Sequence, residues 1–121
     1  MTQNDKELLI RDLCARLPYG VIVHLEYDEN TSVTREMGLG SLHDIMFDSA
    51  EGKPYLRPMS SMTEEEKEEY CNLQAKFLYS SQYPVTDAYG LFDWLNAHHF
   101  DYRNLIEKNL ALDCTGLHIY D

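Results

Sequence analysis

The chain has 121 residues, with 21 acidic against 10 basic side chains and a formal net charge of −11. That length predicts one domain, 1–121, with a single modest core, and 44% hydrophobic residues fit a folded chain rather than a disordered one. The acid excess holds in both halves, six basic and ten acidic residues up to position 60 and four and eleven beyond it, so the chain repels phosphate and direct nucleic-acid binding is not expected.

The first predicted element is a helix. Asn4 and Glu7 have capping-box spacing, and Leu9, Leu13 and Leu17, with Ile10 and Cys14 beside them, form an apolar stripe. Cys14 then reads as a buried small hydrophobe, and Arg11 and Asp12 fall on the other side. Pro18 and Gly20 stop the helix. Val21 to Tyr27 switches to period two, with Val21, Val23, Leu25 and Tyr27 on one face and Ile22, His24 and Glu26 on the other. Asp28-Glu29-Asn30 is a turn signal, and Thr31 to Met37 returns as the second strand of a hairpin. Leu42 to Phe47 fits either a short strand or a helical turn. Tyr55-Leu56-Arg57, between Pro54 and Pro58, predicts an edge strand, because a proline cannot donate to a ladder.

Thr63 and Glu66 form a second capping box, and Glu64, Glu65 and Glu66 suit the positive end of a helix dipole. That helix carries Tyr70, Leu73, Phe77 and Leu78 and ends near Tyr79-Ser80. Tyr83-Pro84 opens the next element, and a helix from about Asp87 to His98 presents Leu91, Trp94, Leu95 and His98. Asp101 is placed to cap a further short helix carrying Tyr102, Leu105, Ile106 and Leu110. Gly116 to Tyr120 can end as a strand. The order predicts an α+β fold: a small antiparallel sheet of three to four strands against an N-terminal helix and a C-terminal group of about three helices.

Cys14, Cys71 and Cys114 are odd in number, without C-x-x-C spacing, and Met1 to Lys6 lacks a signal-peptide pattern. The expectation is free thiols in a reducing cytoplasm, with no membrane segment.

The candidate site residues are Tyr55, Arg57, His98, His99, Asp101 and Arg103. His98, His99 and Asp101 suggest a metal or acid/base site, but adjacent helical residues point about 100° apart, so both histidines rarely hold one ion. Packing of one histidine on Trp94 or Tyr102, with the other at the helix end, explains them without a ligand. Tyr55 and Arg57 are residue types common at binding hot spots. No catalytic residue, cofactor or metal is assigned.

Four stretches, Asp12 to Val21, Lys53 to Glu66, Asp93 to Arg103 and Leu105 to Leu112, together resemble a family of short proteins from gut Bacteroidales and their phages or mobile elements. The family has no established activity, so the resemblance implies only a bacterial or phage origin and a cytoplasmic setting. The functional expectation is a non-enzymatic interaction module that meets a protein partner or its own copy through tyrosines and arginines. The alternatives are an acidic inhibitor or DNA mimic of a nucleic-acid-binding protein, and an enzyme or metal protein built on His98, His99 and Asp101.

Overall fold

A computed structural model of the chain describes residues 1–79 and 84–121, and the side chains of all of these except 77, 79 and 84–89. The described elements are helix α1 (Gln3–Arg16), strands β1 (Ile22–Asp28) and β2 (Thr31–Glu36), helix α2 (Leu39–Met46), strand β3 (Glu51–Leu56), helices α3 (Glu64–Tyr79) and α4 (Pro84–Ala97), and the short strand β4 (Leu112–Asp113). This is the α+β arrangement the sequence predicts. The sheet order is β2-β1-β3-β4. Both β1 pairings are antiparallel, while β4 runs parallel to β3, so the sheet is mixed rather than wholly antiparallel.

The buried face of the sheet follows the period-two pattern. Val21, Val23 and Leu25 are fully buried and meet Leu9 and Leu13 from α1, Leu42 and Ile45 from α2, and Leu105, Leu110 and Ala111 from the chain before β4. Ile45 crosses β3 so closely that a Cβ at Gly52 would lie 2.5 Å from its Cδ1, which is why glycine stands there. A second cluster joins Met62, Leu91, Leu95 and Phe100, with Trp94, Tyr70 and Tyr102 packed on it.

Several elements depart from the sequence reading. Helix α1 is capped by Thr2, not Asn4, with Asp5 completing the box. Its buried stripe is Leu9, Asp12, Leu13 and Arg16. The inward face is therefore turned toward the charged side, leaving Cys14 exposed and Asp12 buried. Leu42 to Met46 is the last part of α2, with Phe47 as its C-cap. β3 is an internal strand rather than an edge, but β4 reaches only Tyr55 and Leu56. At Pro54 the strand thus has one neighbour, as an edge strand does.

No helix follows Asp101. Its carboxylate caps the amides of Leu105 and Ile106 at 2.9 Å each, yet Asn104 and Asn109 take φ of +59° and +60°, and left-handed residues end helical runs. Gly116 (φ +81°) and His118 (φ +55°) likewise break the expected final strand, which forms instead at Leu112–Asp113. Helix α3 is described to Tyr79, near its expected end, and α4 is already helical at Pro84, ahead of the start expected near Asp87; Ser80, Tyr83 and the side chain of Phe77 lie outside the described residues.

Candidate functional site

The capping box of α3 places the central group of the site. Thr63 Oγ1 accepts from the Glu66 amide at 3.2 Å, and the Thr63 amide donates to Glu66 Oε1 at 2.9 Å. Glu66 then faces the end of β3, where Arg57 grips it with two nitrogens at 2.8 and 2.7 Å. A bidentate, charge-assisted pair of this kind is strong. The guanidinium hydrogen bonds, ahead of the burial that opposes them, hold the Glu66 carboxyl down at about 2. His98 Nδ1 stands 3.3 Å from Glu66 Oε2. Its ring lies 4.4 Å from the Trp94 ring and 6.2 Å from that of Phe100. The Arg57 guanidinium sits 4.2 Å over Phe100, a favourable cation–π placement.

His99 leaves the end of α4 with φ +63° and turns away from its neighbour. It stacks on Tyr120 at 3.7 Å, and its Nδ1 is buried without a hydrogen-bond partner. Burial first, then the positive charge of Arg16, pushes its pKa down to about 4, so the ring is neutral at pH 7. Tyr120 is anchored in the sheet. Its hydroxyl accepts from the Ile22 amide at 2.8 Å and donates to the Tyr55 carbonyl at 2.7 Å, so it bridges β1 and β3 next to the last direct pair, Val23 with Pro54. Burial raises its pKa. Arg57, Glu66, His98, His99, Cys114 and Tyr120 border one groove of about 620 Å³. The Cys114 thiol is pushed up by burial, so at neutral pH it is a thiol rather than a nucleophilic thiolate.

Three of the sequence candidates thus meet: Arg57, His98 and His99. The side chains of the others do not join them, although the Asp101 amide donates to the Arg57 carbonyl at 2.8 Å. Tyr55 contributes its carbonyl to the Tyr120 bridge. Asp101 is buried and occupied by two backbone amides. Arg103 binds Asp12 at 2.8 Å. Among the described residues, no group of three or more His, Cys, Asp or Glu is arranged to hold a metal ion. No helix among them is long and apolar enough to cross a membrane.

Sequence reasoning missed two features. The first is a buried ionic cluster. Asp12 takes Arg16 Nε on one oxygen and Arg103 on the other, both at 2.8 Å, and Arg16 also donates to the Phe100 carbonyl at 2.7 Å. The i,i+4 spacing of Asp12 and Arg16 was its signal. The second is the outer face of α2. Leu42 and Ile45 point into the core, yet Leu39 is 74%, Phe47 65% and Met46 42% exposed, and the His43 ring lies 4.6 Å from Phe47. Spacing of i, i+4, i+7 and i+8 puts Leu39, His43, Met46 and Phe47 on one outward stripe.

No family model, no curated protein and no solved structure matches this chain.

Proposed function

We propose that the protein is a non-enzymatic interaction module that docks a protein partner, and that it works in the cytoplasm of a bacterium or under phage control. The observation that carries this reading is the outward stripe of α2. A helix with one apolar face is explained by the core it covers. This one also turns Leu39, Met46 and Phe47 to solvent, and exposed apolar side chains grouped on one face suit a docking surface. The arginines first expected to meet a partner give it less support. Arg57 and Arg103 are committed to Glu66 and Asp12 within the chain.

The test is capture from bacterial lysate by the tagged chain and by a Leu39→Ser/Phe47→Ser twin that leaves every buried side chain in place. The expected result is one or more proteins retained by the wild type and lost by the twin. Equal capture by both, or a monomer that retains nothing, overturns the reading.

A further inference from the structure

Strand β2 is the outer strand of the sheet. All six of its residues are exposed, and its outer edge has no strand partner among the described residues. Natural sheets protect such edges with charged side chains, lysine above all, with proline, with a bulge in the edge strand, or with a covering element. β2 reads Thr31-Ser32-Val33-Thr34-Arg35-Glu36, with neither lysine nor proline and with its charged side chains confined to the last two positions. The pairing irregularity of the hairpin lies on β1, between Glu26 and Asp28, not on β2. What remains is a regular run of backbone donors and acceptors with β-branched side chains, the form of edge that accepts an added strand.

The charge around that edge selects the occupant. From Glu26 to Glu36 there are four carboxylates, Glu26, Asp28, Glu29 and Glu36, against one cation, Arg35, all of them exposed. Val33 pairs with Leu25 and so shares its sheet face, half-open to solvent, and offers an apolar contact in the middle of the strand. A second copy of this chain would bring the same acidic rim against itself, on a molecule already at −11, and like charges juxtaposed at an interface oppose association.

We infer that β2 accepts an extended basic segment of a partner protein as a fifth strand, with main-chain hydrogen bonds supplying the docking and the carboxylates at both ends of β2 selecting lysine and arginine. This rests on the interaction-module reading and names the chemistry of the partner.

The experiment uses the full ¹⁵N-labelled chain and three synthetic peptides: alternating valine and lysine, alternating proline and lysine with the same charge, and alternating valine and glutamate. The valine–lysine peptide is expected to shift and protect the amides of residues 31–36, with affinity falling at least tenfold when salt is raised from low to physiological strength. The proline–lysine peptide cannot form a ladder and is expected to leave those amides unprotected, and the glutamate peptide is expected not to bind. Equal binding by the two lysine peptides, or shifts that avoid 31–36, overturns strand addition. Dimerisation of the chain through β2 in the absence of peptide overturns the basic partner. Either result leaves the α2-dependent capture standing, so failure here and failure of the interaction-module reading are told apart.

Discussion

Asp12 shows how one residue changes meaning once its surroundings are known. Along α1 it looks like a surface acid. In the fold it is the anion between two guanidiniums, with Arg16 fully buried beside it. Charges are tolerated there because each has a close partner, and removing one partner leaves the others stranded. Asp12→Ala is expected to cost about 3–5 kcal/mol, read from urea unfolding followed by circular dichroism; a loss under about 1 kcal/mol would show that the cluster is not holding the fold. His99 and Glu66 set the response to acid. The His99 ring is held down at about 4 in the native state against an ordinary 6.5. The unfolded chain therefore takes up a proton that the native chain resists, and stability falls as pH drops from about 6.5 towards 4. Glu66, held at about 2 against 4.5, removes more between those values. Urea midpoints at a series of pH values should fall accordingly, and His99→Gln should flatten the upper part of the profile. An unchanged upper slope in that variant would contradict the assignment.

At the scale of elements, two aromatic residues join pieces that the sheet alone does not hold. Trp94 on α4 lies 6.0 Å from Tyr70 of α3 and 5.7 Å from Phe100, and its indole nitrogen donates to Glu69 at 2.9 Å. Trp94→Ala should cost about 3 kcal/mol, the lower end of the range for buried aromatic truncations because the ring is only half-buried. Tryptophan fluorescence cannot follow a variant lacking the chain's only tryptophan, so circular dichroism is the measurement. Tyr120 does the same for the C-terminal segment. Tyr120→Phe keeps the stack on His99 but leaves the Ile22 amide and Tyr55 carbonyl without their bridge. The expected loss is about 1–3 kcal/mol, together with faster amide exchange at Ile22. Exchange there equal to that of the wild type would show that the bridge is dispensable.

For the molecule as a whole, the dominant quantity is charge. A chain at −11 repels itself in the compact state. Added salt screens that repulsion over a distance of about 10 Å at 0.1 M. The melting temperature is therefore expected to rise as sodium chloride is raised from about 10 mM to physiological strength. A fall would mean that the ion pairs of the fold, such as Arg57 with Glu66, outweigh the general repulsion. The same excess of carboxylates frames the exposed edge at β2.

Much of this protein was legible from local pattern. The period-two run from Val21, the hairpin through Asp28 to Asn30, the capping box of Thr63 and Glu66 and the stripe through Leu91 and Leu95 all appear in the structure, because each depends on residues within a few positions of one another. Tertiary structure decided the rest. Whether Asp12 was inside depended on Arg103, far along the chain. Whether β3 was an edge depended on where Leu112 and Asp113 returned. The helix expected after Asp101 was lost to left-handed turns at Asn104 and Asn109, which let Leu105, Leu110 and Ala111 reach the core beneath the sheet. Arg57, His98 and His99 came together because the Arg57 amide donates to the His99 carbonyl and because Glu66 and Phe100 fix the meeting of β3, α3 and α4. Local energetics follow from neighbours in sequence, whereas burial, strand order and the pairing of distant charges follow from which surfaces the folded chain brings into contact.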